Sequence, residues 1–317
     1  ALLAGVRALA VAAASLVLAA VPPGAVKGSE GLLEEEESAY QYVRVLERPD
    51  GRRVLELNEG VAVHSVWRPG EVLTGGPWDV PLALPPLVGR PLRDVAILGN
   101  AGGTTARALG RYYPAARVDG VELDPAVTRV GSEWLGLGDN PRLVVHDADA
   151  RPFLRRSERR YDLIVVDAYR QPYVPFYLAT REFFRLVRER LAPGGVVALN
   201  VAVVPGDDRL VDGVARTLAA ELPEVLVWRA LRYNTFVIGL QRPLAEAERG
   251  RRLARGPADL APLRALLARD VRPASVSGEP WTDDRAPVEW ATDRMILGYA
   301  ARGGRAEDVD SLPTKPR

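Results

Sequence analysis

Glu122, Asp147 and Asp167 each stand at the end of a predicted strand, and the strand before them runs into the turn Gly99-Asn100-Ala101-Gly102-Gly103. Carboxylates on successive strand ends beyond a glycine turn are how an open α/β sheet holds a nucleoside, because ligands bind beyond the carboxyl ends of the strands where their order reverses. Glycine has no Cβ, so the turn at Gly99 and Gly102 brings backbone close to a ligand, although such turns also serve as plain strand-to-helix connections. Glu122 offers the acceptor pair that two ribose hydroxyls need, while Asp124, directly before Pro125, suits the competing role of helix cap. Asp147 would accept from an adenine amino group, with the Ala148 N–H reading a ring nitrogen; the alternative is that Asp147 caps the helix after it. Asp167 opens an irregular, aromatic-rich loop, Ala168 to Pro175, at the mouth of the same pocket. Irregular loops at strand ends carry sites, but Tyr173 and Phe176 read equally well as packing residues. The lysine of a P-loop is missing, and G-x-x-G-G departs from the dinucleotide pattern G-x-G-x-x-G. A ribose acid and an adenine acid without a phosphate cradle point to S-adenosylmethionine or its decarboxylated form.

The elements that must position these residues are legible from periodicity. Strands are predicted at Val95–Leu98, Ala116–Val121, Arg142–His146, Tyr161–Val166 and Val196–Val201. They alternate with helices at Thr104–Tyr113, Pro125–Leu135, Ala148–Arg155, Thr180–Leu191 and Asp208–Glu221, the pattern of a parallel sheet with helices on both faces. Leu226–Ala230 and Asn234–Leu240 read as a closing antiparallel pair, and Thr282-Asp283-Asp284 as the cap of a last helix through Trp290 to Tyr299. Ahead of the glycine turn, Tyr40–Leu46, Arg53–Leu57 and Val61–Trp67 alternate around turns at Asp50-Gly51 and Asn58-Gly60, a small antiparallel sheet. The resulting fold class is α/β, a doubly wound Rossmann-like sheet of the S-adenosylmethionine-dependent methyltransferase type, with an N-terminal antiparallel β segment and an apolar N-terminal helix. Its expected divisions are residues 1–26 (apolar helix), 27–38 (polar linker with a solvated acidic run, Glu34 to Glu37), 39–84 (β segment), 85–302 (nucleoside-binding domain) and 303–317 (flexible tail).

Composition narrows the function classes. The 317 residues carry a formal net charge of +1, against the clustered basic excess of a nucleic-acid binder. Cysteine is absent and His64 and His146 are the two histidines, which excludes disulfides and thiolate zinc sites and argues against a histidine metal cluster, so no metal is expected. Ala1 to Val26 is apolar with Arg7 as its one charge, just long enough to span a bilayer if Arg7 snorkels, and Pro22-Pro23 ends any helix there. Three readings stand: the last span of a larger membrane domain, a signal-like anchor, or an Ala-rich helix packed on the domain.

From about Glu37 to Val201, and more weakly to Tyr299, the chain resembles the polyamine aminopropyltransferases, the spermidine synthase family. The likeness lies in Tyr40-Gln41-Tyr42, in Val121-Glu122-Leu123-Asp124-Pro125, in Asp147-Ala148, in Asp167 followed by Pro175 and Leu178–Phe184, and in Leu191-Ala192-Pro193-Gly194-Gly195. With the apolar start, it resembles the membrane-fused branch. The resemblance implies transfer of an aminopropyl group from decarboxylated S-adenosylmethionine to an amine, with Asp167 as general base and Gln41, Gly99, Gly102, Glu122, Asp147, Ala148 and Pro175 around the nucleoside. Tyr40, Trp78, Asp79, Tyr169 and Arg170 would face the acceptor. It further implies a homodimer and a membrane-attached enzyme with its catalytic part in the cytoplasm, or a cytoplasmic one if the first helix packs on the domain. Three departures bear on specificity: Gly102 stands where the family has an Asp for the donor's ammonium, Arg170 where it has a second loop Asp, and Pro77-Trp78 where it has Tyr-His. Arg170 would repel a polycation and suit an acceptor with a carboxylate. Two alternatives follow: an S-adenosylmethionine-dependent methyl- or aminocarboxypropyltransferase, and a non-catalytic nucleoside-binding domain of a membrane protein.

Overall fold

The structure, a computed structural model, describes residues 29–58, 62–169 and 173–303. Strands β1 (Leu32–Glu37), β2 (Tyr42–Glu47), β3 (Arg53–Leu57) and β4 (Val63–Trp67) form an antiparallel sheet in that order. The alternating runs made β2, β3 and β4 legible. Strand β1 was not; it overturns the reading of 27–38 as a linker with a solvated acidic run. Its glutamates are engaged: Glu35 accepts from the Tyr42 hydroxyl, and Glu34 and Glu36 both pair with Arg129. Charged side chains on an edge strand also discourage pairing with a further chain.

The main sheet contains β5 (Asp94–Leu98), β6 (Arg117–Glu122), β7 (Leu143–Asp147), β8 (Tyr161–Val166), β9 (Leu191–Ala202), β10 (Glu224–Leu231), β11 (Asn234–Leu240) and β12 (Arg272–Pro273), in the order β12-β10-β11-β9-β8-β5-β6-β7. From β9 to β7 neighbours are parallel; β11, β10 and β12 add antiparallel strands at the far side. The helices are α1 (Pro85–Val88), α2 (Thr104–Tyr112), α3 (Pro125–Trp134), α4 (Ala150–Arg156), α5 (Arg181–Arg190), α6 (Arg209–Ala219), α7 (Glu246–Leu253), α8 (Ala261–Asp270) and α9 (Val288–Ala301). Helices α4, α5, α6 and α9 bury Leu154, Phe183, Phe184, Leu218 and Met295 against one face. Leu109 of α2, Leu253 of α7 and Leu263 of α8 cover the other. The small sheet lays Val43, Val45, Leu55 and Leu57 on Val127 and Val130 of α3, which fixes it over one end of the main sheet.

Two helix starts differ from expectation. Helix α4 begins at Ala150, not Ala148, because Asp149 caps it by accepting from the Arg151 N–H at 2.9 Å. Helix α9 starts after Pro287, and Thr282–Asp284 does not cap it; Asp283 instead pairs with Arg151 at 2.7 Å and accepts from the Thr180 hydroxyl at 2.7 Å. Helices α7 and α8 had no sequence reading. Among the described residues no helix is long and apolar enough to cross a membrane. The apolar stretch Ala1–Val26 and the tail from residue 304 lie outside the described residues.

Candidate active site

The chain lays down β5, β6 and β7 side by side and then crosses back to place β8 on the other side of β5. The carboxyl ends of β5 and β8 therefore flank the switch in strand order, the position at which open α/β sheets bind their ligands. Gly99 ends β5 and Asp167 follows β8, and the two touch: with φ of 91°, Gly99 sits where an added Cβ would lie 2.5 Å from the Asp167 carbonyl oxygen. Only glycine adopts this conformation at this spacing. Ala101, also left-handed at φ 45°, turns its N–H onto the Glu122 carboxylate at 2.9 Å.

Glu122 is buried at the end of β6. Its Oε1 accepts from the N–H groups of Leu123 (2.9 Å) and Asp124 (3.1 Å), and its Oε2 from Ala101. Burial pushes its carboxyl above the usual range, against the pull of those N–H groups. Of the roughly four acceptor directions of a carboxylate, one on Oε2 is left for a ligand, so a two-hydroxyl grip on a ribose requires one of the backbone donors to yield. Asp124 caps α3 through the Ala126 N–H (3.0 Å) and accepts from the Ser38 hydroxyl (2.6 Å) and the Gln41 amide (3.3 Å). Gln41 is thus brought to the Glu122 end of the rim. Asp147 is exposed at the end of β7 and accepts from the Thr128 hydroxyl at 2.6 Å; since Asp149 is the cap of α4, Asp147 is not. The Ala148 N–H donates to the Glu122 carbonyl at 2.8 Å, which corrects the expectation that it is free to read a ring nitrogen.

Asp167 is half-buried, and loss of water around it raises its carboxyl from 3.8 to about 6, opposed by the Asn200 amide that donates to its Oδ1 at 2.9 Å. Asn234 in turn donates to Asn200 Oδ1 at 3.0 Å. The Tyr169 hydroxyl donates to the Asn200 carbonyl and accepts from the Ala202 N–H, both at 2.7 Å, so this residue clamps the loop to β9. Pro175 caps a 3₁₀ turn over Phe176–Leu178. Arg170 lies outside the described residues.

Around the acceptor side the placement is mixed. Tyr40 is exposed beside Gln41. Trp78 is half-buried and its carbonyl accepts from the Thr105 hydroxyl of α2. Asp79 is fully buried, and its carboxylate accepts from the Thr74 N–H and hydroxyl and from the Gly75 N–H at 2.8–3.1 Å. It holds its own turn and has been spent there, which corrects its assignment to the substrate. Gly102 donates its N–H to the Ser65 hydroxyl, and a Cβ on it would come within 2.4 Å of Leu135 Cδ1 and 3.0 Å of Ser65 Cβ. Among the described residues no group of three or more His, Asp or Glu stands close enough to hold a metal ion. The residues that sequence reasoning passed over are Asn200 and Asn234. The signal for Asn200 was present: a single amide inside the otherwise apolar run Val196 to Val204.

Residues 81–219 match the Spermine/spermidine synthase domain. The probable polyamine aminopropyl transferase of Bifidobacterium longum is 37% identical over 191 residues, 60% of this chain and 42% of that protein. The polyamine aminopropyltransferase of Vibrio vulnificus is 29% identical over 180 residues, 55% of this chain and 60% of that protein. The chain spans about half the length of these curated relatives. Among solved structures, a probable spermidine synthase from Corynebacterium glutamicum superposes with a TM-score of 0.59 at 18% identity, covering 92% of this chain and all of the other, a likeness of fold.

Proposed function

Because residues 81–219 match the Spermine/spermidine synthase domain and these relatives are polyamine aminopropyltransferases, we propose that the chain belongs to that family and transfers an aminopropyl group from decarboxylated S-adenosylmethionine to an amine. The observation that carries this reading is Asp167, a carboxylate at the switch point with its pKa raised to about 6. Such a group is ionised at neutral pH yet takes up a proton readily, as a general base should. The acceptor amine attacks the aminopropyl carbon bonded to the sulfonium. The C–S bond breaks, its electron pair stays on sulfur to leave neutral methylthioadenosine, and the amine proton passes to Asp167. Glu122 would hold a ribose hydroxyl through its remaining acceptor direction, Gln41 would close the rim, and exposed Asp147 would accept from the adenine amino group. Gly99 and Gly102 would shape the turn beside the nucleoside, their Cβ positions being closed by the Asp167–Ala168 backbone and by Leu135 and Ser65. Pro175 would border the nucleoside, and Tyr40, Trp78 and Tyr169 would line the acceptor side, with Arg170 on the same loop. Incubation of the purified chain with decarboxylated S-adenosylmethionine and a panel of amines tests this: release of methylthioadenosine is expected, and its absence with every amine overturns it.

One observation favours a second donor. At Gly102 the space a carboxylate would take is filled by Leu135 and Ser65, so nothing there attracts an ammonium or repels a carboxylate, and intact S-adenosylmethionine would serve as a methyl or aminocarboxypropyl donor. Calorimetry with both nucleosides separates the two, a clear preference for the decarboxylated one removing the second. Attachment to a membrane through Ala1–Val26, with the catalytic part on the cytoplasmic side, belongs to the same reading, as does a homodimer. Vesicle flotation and light scattering of the full chain test these.

A further inference from the structure

We propose that Asn234 sets the orientation of the Asn200 amide and thereby makes Asn200 a hydrogen-bond donor to Asp167, a positioning relay built across β11, β9 and the end of β8. It rests on the reading of Asp167 as the base. Asn200 pairs with Phe236 and Asn234 with Ala202 in the antiparallel ladder, so the two amides occupy diagonal positions on one face of neighbouring strands, within reach of each other. Asn234 Nδ2 donates to Asn200 Oδ1 at 3.0 Å, and Asn200 Nδ2 donates to Asp167 Oδ1 at 2.9 Å. A primary amide has one accepting and one donating side. With its oxygen engaged by Asn234, Asn200 turns its NH₂ to the carboxylate. Released, the amide is free to flip, and an oxygen facing Asp167 favours the protonated acid, which is no base.

The rest of Asn200 is immobilised as well. It is buried, and its carbonyl accepts from the Tyr169 hydroxyl, which itself accepts from the Ala202 N–H. A buried amide in an apolar strand is tolerated only if its polar atoms are paired, and these are. Among the described residues the groups facing Asp167 are few. Its own loop brings the Tyr169 phenol, which burial and the Asp167 charge push up. Strands β9 and β11 bring the two neutral amides, the turn after β5 brings backbone at Gly99, and Arg170 shares the loop. Asn200 is thus the group that holds the Asp167 carboxyl down against its burial.

The test is the acid limb of kcat/KM for the full chain, with the nucleoside Kd by calorimetry and Tm as controls. Asn200→Ala should move the limb up by about one pH unit, the worth of a hydrogen bond to a charged group. Asn234→Ala, which touches no substrate, should move it in the same direction, with Kd unchanged. Asn234→Asp keeps the shape but cannot donate to Asn200 Oδ1, and should raise the limb at least as far. Asn200→Gln, which keeps a donor, should restore part of the activity at low pH. The relay is overturned if both Asn234 variants fold and leave the limb where the wild type has it. If the wild type releases no methylthioadenosine, the aminopropyl reading fails on its own. The relay is then read from an infrared titration of the Asp167 carboxyl, assigned by its loss in Asp167→Asn: the same upward shift in Asn234→Ala upholds it, and an unmoved titration overturns it.

Discussion

Replacing Asp167 by Asn should make the protein more stable and less active, and the gain should depend on pH. Burial holds the Asp167 carboxyl at about 6 in place of 3.8. A group whose pKa is higher in the folded state than in the unfolded one stabilises the fold below the unfolded value. That contribution is lost as pH rises through the folded value, so here it is present below about pH 4 and gone above about pH 6. The difference corresponds to about 3 kcal/mol at 1.36 kcal/mol per pH unit, and the partial exposure of Asp167 reduces it to about 2 kcal/mol. Asparagine keeps the shape and an acceptor for Asn200 but never ionises. At pH 8 the variant should therefore gain about 2 kcal/mol, a rise in Tm of roughly 3 °C for a chain of 317 residues, and at pH 4 it should gain almost nothing. Scanning calorimetry of both proteins from pH 4 to 8 reads this directly, and the same samples should show transfer reduced by about 10²-fold or more. A difference in Tm that stays flat across that range, or a variant less stable at pH 8, refutes the argument that Asp167 is held in a strained ionisation state.

Gly99→Ala puts a Cβ 2.5 Å from the Asp167 carbonyl in left-handed backbone, and should cost about 1–3 kcal/mol in denaturant unfolding while displacing the base and lowering transfer. Glu122→Gln sets an NH₂ against at least one of three backbone N–H donors that use both carboxylate oxygens; about 1–3 kcal/mol of stability and more than a tenfold loss in nucleoside affinity by calorimetry are expected. Asp79→Ala strips the 74–75 turn of its acceptor and should lower Tm by several degrees while KM for the amine stays as in the wild type; a changed KM at unchanged Tm would return Asp79 to the substrate side.

The strand ends at Leu98, Glu122, Asp147 and Val166 and the helices between them were readable in the sequence, because β-branched runs, glycine turns and 3.6-residue periodicity are local signals. The closing pair β10 and β11 was readable for the same reason. What the residues around each acid would contact was not. Asp79 and Asp147 are both single acids beside turns in the sequence; the fold buries one under backbone N–H groups and leaves the other on the rim. Strand β1 looked like a solvated acidic run because its partners, Tyr42, Arg129 and Trp134, include residues about a hundred positions away. Asn200 and Asn234 acquire a meaning only when β9 and β11 pair. The sequence by itself determined most of the strands, their order along the chain and the acids that end them. The tertiary structure alone decided which of those acids keep a free oxygen and which proton each would hold, since hydrogen-bond partners and loss of water are properties of neighbours in space, not of neighbours in the chain.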